Sequence, residues 1–193
     1  MTTFVLHGGE TSSASPDNNL FFKQFTELVD KDEVKVLMCL WSRPKEKWDD
    51  LVKRDSQKIL EQTNKKVTFD TLERVEEIED KVTICDVLYV LGGEAELIEP
   101  YYDKIKNLKE LIDGKVYVGS SMGVFMVSSN YVLSFDSQDE LTVHKGLGLL
   151  PIQTLCHWDV EEKKKQKLSL LADNDSSMPI VTLDECKFTT LYL

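Results

Sequence analysis

Basic charge, paired cysteine, histidine and arginine are all scarce in this sequence, and each shortage narrows what the chain can do. Its 193 residues carry 34 acidic against 23 basic side chains, a formal net charge of −11. A chain with no basic excess is poorly suited to a phosphate backbone or an anionic lipid surface, so nucleic acid and membranes are not expected as partners. No run of about 18 apolar residues occurs, and no basic segment followed by an apolar run opens the chain, so a cytoplasmic protein is expected. The four cysteines, Cys39, Cys85, Cys156 and Cys186, stand singly in or beside apolar segments. With no Cys-x-x-Cys and no Cys/His pair at zinc spacing, they read as reduced, buried thiols. No repeat, low-complexity tract or long linker divides the chain, and its length suffices for one core, so a single domain over residues 1–193 is expected.

What is present alternates. Thr3–Leu6, Glu33–Trp41, Lys66–Phe69 and Asp86–Leu91 read as strands. Between them Asn18–Val29 and Lys45–Gln62 show apolar residues at helical spacing, and Leu72–Lys81 suggests a short helix. Glu94–Asp113 predicts a further helix, with Pro100 in its first half or at a break. Tyr131–Gly148 alternates polar and apolar residues as a hairpin or loop. Leu149–Trp158 is strand-like, Asp159–Leu171 a lysine-rich helix, and Met178–Leu183 and Lys187–Leu193 closing strands. Such alternation predicts an α/β three-layer sandwich, with a mostly parallel central sheet and helices on both faces. Ligands of such sheets bind where the strands' carboxyl ends meet. Three glycine-bearing turns fall there: Gly8-Gly9, Gly92-Gly93 and Gly119–Gly123.

The third of these stands out. Lys115-Val116-Tyr117-Val118 runs into Gly119-Ser120-Ser121-Met122-Gly123, and an apolar segment follows. A strand, Gly-x-Ser-x-Gly and a helix make a nucleophile elbow, which holds Ser121 Oγ in the open. A serine hydroxyl needs a base, and only His7, His144 and His157 exist. His157, at the end of a strand-like segment and before a helix, is the first choice. His7 is the second, and His144 is expected to be exposed. The histidine needs an acid to fix its tautomer, and Asp136, Asp139, Glu140, Asp159, Asp184 and Glu185 are the candidates. Backbone N–H groups of Met122 and of the Gly92-Gly93 turn, through Gly93, would form the oxyanion hole.

This ordered set resembles the aspartyl dipeptidase (peptidase E) family of serine peptidases. Leu6-His7-Gly8-Gly9 is similar to the family's opening turn, and Tyr89-Val90-Leu91-Gly92-Gly93 to its strand ending in Gly-Gly-Asn. Gly119–Gly123 matches its elbow, and Leu147-Gly148-Leu149-Leu150-Pro151 its approach to the catalytic histidine, here His157. The resemblance implies a class I glutamine amidotransferase-like (flavodoxin-like) fold. It also implies a cofactor-free, metal-free serine peptidase acting on small peptides, with aspartyl dipeptides as the finer expectation. It assigns Ser121 as nucleophile, His157 as base and Asp136 as the acid; a later glutamate is the competing assignment in that family. A monomer or homodimer is expected. Glu94 departs from the family's Asn, Met122 from its small alanine, and no arginine follows Arg74 to meet an aspartyl carboxylate. These departures motivate an alternative, a catalytically inactive ligand-binding or regulatory domain on the same fold.

Overall fold

The computed structural model describes residues 1–105, 107–134 and 141–193. Its strands are β1 (Thr3–His7), β2 (Glu33–Cys39), β3 (Lys66–Thr71), β4 (Val87–Val90), β5 (Val116–Ser120), β6 (Ser128–Val132), β7 (Val143–Lys145), β8 (Leu150–Leu155), β9 (Ile180–Thr182) and β10 (Phe188–Tyr192). Its helices are α1 (Pro16–Glu27), α2 (Trp48–Glu61), α3 (Ile78–Ile84), α4 (Ala95–Ile98), α5 (Leu108–Leu111), α6 (Met122–Val127) and α7 (Lys164–Asn174).

The larger sheet has the order β10-β1-β5-β4-β2-β3, parallel except for β10 on β1. Position in the sheet follows sequence. Val87–Val90 and Val116–Ser120 are buried throughout and lie at the centre, whereas β3 alternates exposed and half-buried residues and forms an edge. Alternate side chains divide between two cores. Val5, Val36, Met38 and Tyr89 face α1 and α2, packing on Phe21, Phe22, Phe25 and Ile59. Phe4, Leu6, Leu37, Leu88 and Tyr117 face the opposite side, where α3, α5 and α6 contribute Val82, Leu108 and Phe125. Helix α1 starts where its sequence dictates: Ser15 accepts from Asp17 N–H at 3.2 Å, and Pro16 fills the first turn. Burying each of its three phenylalanines contributes about 1.5–3 kcal/mol.

Two segments differ from the sequence expectation. The 94–113 helix is broken into α4, a 3-10 turn over Glu99–Lys104 and α5. Pro100 has no N–H to continue the α-helical ladder, and the tighter winding follows directly after α4. The second difference is a separate sheet, β7-β6-β8-β9. Only residues 121–127 join β5 to β6. A parallel crossover needs about a dozen residues, so β6 cannot return beside β5 and starts a sheet of its own. There β7 is antiparallel to β6, and β8 and β9 are parallel. No helix among the described residues is long and apolar enough to cross a membrane.

Candidate active site

The carboxyl ends of β1, β2, β4 and β5 open onto one cleft of about 710 Å³, whose walls include Gly9, Arg43, Arg54, Gly92, Ser121 and His157. Strand β5 delivers Ser121 into it at φ 47°, ψ −103°, a region non-glycine residues rarely occupy and one that costs about 1–3 kcal/mol. The turn is held from both sides. Ser121 N–H donates to the His7 carbonyl at 2.9 Å, and the Ser121 carbonyl accepts from Val124 and Phe125 at 2.8 and 3.1 Å. Close approach explains the flanking glycines. A Cβ on Gly123 would strike the Val90 carbonyl, and one on Gly119 the Gly123 backbone.

The second sheet supplies the partner groups. His157 follows β8 and Glu185 follows β9, two neighbouring parallel strands. The pairing continues past their ends, with Leu183 N–H on the Leu155 carbonyl at 2.9 Å and Trp158 N–H on the Leu183 carbonyl at 3.0 Å. His157 N–H then hooks onto the Gly8 carbonyl of the larger sheet at 3.0 Å. The result is a contact chain: His157 Nε2 lies 3.2 Å from Ser121 Oγ, and His157 Nδ1 lies 2.8 Å from Glu185 Oε1. An ionised Glu185 can only accept, so that contact requires Nδ1–H and leaves the Nε2 lone pair facing the hydroxyl. Among the described residues the non-glycine positions with positive φ are Glu10, Ser121, His157 and Cys186, all in the loops that meet here. Strained backbone is thus concentrated at one place in the fold.

The other sequence candidates separate cleanly. Asp136, Asp139 and Glu140 lie outside the described residues. Asp159 accepts from Glu185 N–H at 2.8 Å, so it holds the loop that carries the carboxylate. His7 is fully buried. It pairs with Asn18 Oδ1 at 2.9 Å through Nε2 and accepts from Gly9 N–H at 3.1 Å through Nδ1. Burial, with a smaller effect from nearby His157, pushes its pKa down to about 4, so it is a neutral brace for the Gly8-Gly9 turn. His144, expected to be exposed, is largely buried instead. It stacks on Tyr131 and lies 3.0 Å from Glu99 Oε1. Cys156 precedes His157 but is buried, which pushes its thiol pKa up and leaves it unreactive.

Gly93 lines the cleft beside Ser121. Met122 opens α6, so its N–H has no partner within the helix. Met122 is 1% exposed, packs in the core and lines the cleft wall. Glu94 is exposed on the rim, and its N–H donates to the Ser42 carbonyl at 2.7 Å. Among the described residues no group of three or more His, Cys, Asp or Glu side chains is placed to hold a metal ion.

Two further cationic candidates come from early in the chain, before the stretch that lacks arginine. Arg43 follows the end of β2, and Arg54 reaches the cleft from α2. Arg54 Nε donates to buried Asp55 at 2.7 Å, and Asp55 also accepts from Tyr89 Oη at 3.0 Å. Burial, reinforced by Asp55, pushes the Tyr89 pKa well up, so the hydroxyl remains a donor. In the sequence only position points to Arg43, which stands just past a strand's carboxyl end.

The chain matches the family model for peptidase family S51 over residues 4–190. It belongs to that family. Among curated relatives, an uncharacterized peptidase of Listeria innocua is 34% identical over 103 residues, covering 48% of this chain and 49% of the relative. One of Listeria monocytogenes is 34% identical over 97 residues, 45% and 47% of the two chains. The chain therefore spans about half the length of the curated relatives it matches. Solved structures extend the likeness to the whole fold. A candidate peptidase E protein from Listeria monocytogenes superposes with a TM-score of 0.64 at 19% identity, over 100% of this chain and 99% of that one. A peptidase from an acI-B1 actinobacterium gives 0.68 at 15%, over 98% and 83%. The S51 chain is thus a three-layer α/β protein of the class I glutamine amidotransferase-like type, with membership in a family of serine peptidases.

Proposed function

We propose that this S51 member hydrolyses small peptides, with Ser121 as nucleophile, His157 as general base and Glu185 as the acid that orients it. The contact chain from Ser121 Oγ through His157 to Glu185 carries this reading. Glu185 holds the Nδ1–H tautomer, and Nε2 takes the proton as Oγ attacks the peptide carbonyl. Negative charge develops on the former carbonyl oxygen, where the N–H groups of Gly93 and Met122 receive it. His157 returns its proton to the leaving amine, and water repeats the sequence to free the acyl group. A cleft of about 710 Å³ is in the range of small-ligand sites and suits a short peptide.

The finer proposal is a preference for acidic substrates. Arg54 is a third exposed and lines the cleft, and a guanidinium can pair with a carboxylate in two parallel hydrogen bonds. The test is fluorophosphonate labelling beside Ser121→Ala, followed by hydrolysis of Asp-X and Ala-X dipeptides. Stoichiometric labelling of the parent, none in the variant and faster Asp-X turnover are expected. A folded parent that resists labelling refutes the serine mechanism. Equal rates on both dipeptides refute the acidic preference alone.

A further inference from the structure

In the proposed machinery the Gly92–Gly93 peptide must present an N–H in one direction. Neither flanking residue has a Cβ, so sterics alone would let the peptide plane rotate. What holds it comes from the turn after β2. Leu91 N–H donates to the Cys39 carbonyl at 3.0 Å, and the Leu91 carbonyl accepts from Ser42 Oγ at 2.9 Å. Glu94 N–H donates to the Ser42 carbonyl at 2.7 Å. Between these anchors, the Gly92 carbonyl accepts from Arg43 Nε–H. Cα of Gly93 sits so close to Ser42 that a Cβ there would collide with its carbonyl. Gly92 lies on the nucleophile's side, where a Cβ would come within 3.1 Å of Ser121 Cβ.

A trans peptide points its carbonyl and the following N–H in opposite directions, and no peptide bond described here is cis. Fixing the Gly92 carbonyl therefore fixes the direction of Gly93 N–H, which has no hydrogen-bond partner among the described residues. We propose that Arg43 is a positioning residue for hydrolysis, pinning the Gly92–Gly93 peptide so that Gly93 N–H faces the developing oxyanion. The proposal rests on the serine-peptidase reading above. Arg43 makes no contact with the reacting atoms in it. Its own carbonyl is tied down separately, accepting from Trp48 Nε1 at 2.8 Å, so the turn keeps its shape when the side chain is changed.

The test is the inactivation rate with a fluorophosphonate, whose phosphoryl oxygen occupies the oxyanion hole, resolved into saturation and maximal rate. Arg43→Met removes the pin, while Arg43→Gln retains a neutral N–H donor; Ser121→Ala is run beside them, with thermal melts for each. Loss of one oxyanion-hole donor costs about 10²–10³ in rate. Arg43→Met misdirects that donor without removing it, so it is expected to lower the maximal inactivation rate by about 10-fold to 100-fold, below the loss for a missing donor, with little change in the saturating concentration. Partial recovery is expected in Arg43→Gln, which a purely structural or purely charge-based role would not give. A maximal rate within twofold of the parent in folded Arg43→Met overturns the inference while Ser121→Ala still abolishes labelling. A change confined to the saturating concentration also overturns it, because Arg43 would then bind the ligand. A folded parent that is not labelled overturns the hydrolase reading and this inference with it.

Discussion

Glu185→Gln separates charge from shape in the proposed triad. Glutamine has the same reach, so its carbonyl can still accept the Nδ1 hydrogen across the 2.8 Å contact. Stability should fall by less than about 1 kcal/mol, as for other partly exposed pairs. What disappears is the negative charge facing the imidazolium that forms when His157 takes the serine proton. Unit charges about 4 Å apart attract by about 4 kcal/mol at the effective dielectric of a protein surface. The two side chains are 20% and 25% exposed, so water screens part of this. A loss of about 3 kcal/mol in the transition state corresponds to a rate lower by about 10²-fold. An amide that turned its NH₂ group toward Nδ1 would impose the wrong tautomer, and the loss could approach about 10⁴-fold. The assay is the maximal fluorophosphonate inactivation rate, with Asp136→Asn measured in parallel. Glu185→Gln should fall by about 10² or more, and Asp136→Asn should stay within threefold of the parent. A folded Glu185→Gln within threefold of the parent refutes the assignment. If Asp136→Asn carried the loss instead, the acid would be Asp136.

Three further outcomes follow from the same geometry. Ser121→Gly should abolish labelling yet raise the unfolding free energy by about 1 kcal/mol, since glycine relieves the backbone at φ 47°; a destabilised variant in urea melts would contradict the strain. His7 keeps a folded-state pKa of about 4, so between pH 6.5 and 4 the unfolded chain binds a proton that the folded chain refuses. Stability therefore falls as pH drops through that window, by about 2 kcal/mol at pH 5 from this residue; His7→Gln should flatten the pH dependence of urea midpoints by that amount, and parallel curves would refute it. Lys167 and Glu161 form a buried ion pair at 2.5 Å, with Lys167 Nζ also on the Leu133 carbonyl at 2.8 Å. Lys167→Met should cost about 3–5 kcal/mol by stranding the carboxylate, and adding Glu161→Gln should restore part of it; strictly additive losses would argue against coupling.

The elbow was legible because its chemistry is local. A β-branched strand, two glycines and a serine must be adjacent in sequence for the turn to close, and periodicity predicts the strand before it and the helix after. His157 was legible for a related reason, since it ends an apolar strand-like run. Glu185 is only one of six carboxylates in the sequence, because its contact with His157 depends on β9 lying parallel beside β8, a pairing no spacing reveals. The second sheet was hidden in the same way. Alternating segments announce strands but not which sheet receives them, and here the shortness of the 121–127 connection decides. Nothing local in the sequence announces Arg43 and Arg54, which meet the site through loop and helix geometry far from the elbow.

The division of the candidate site between two sheets makes alignment of Ser121 with His157 a question of how the sheets are joined. Ser121 and the Gly92–Gly93 strap belong to the larger sheet, and His157 and Glu185 to the loops of the smaller one. Three backbone hydrogen bonds around the Gly8-Gly9 turn hold the joint: His157 N–H to Gly8 at 3.0 Å, Gly8 N–H to Lys187 at 2.9 Å and Cys186 N–H to Gly9 at 2.9 Å. That turn is shaped in turn by His7, which accepts from Gly9 and is locked by Asn18. Asn18 donates onward to the Glu10 and Ser13 carbonyls at 3.0 and 2.9 Å. A charged His7 could not accept from Gly9 N–H, so the burial that keeps it neutral also preserves the turn. His7, a rival candidate for the general base in the sequence, therefore supports the turn that holds the proposed base, His157. It does so by remaining neutral, in a position where substrate has no access.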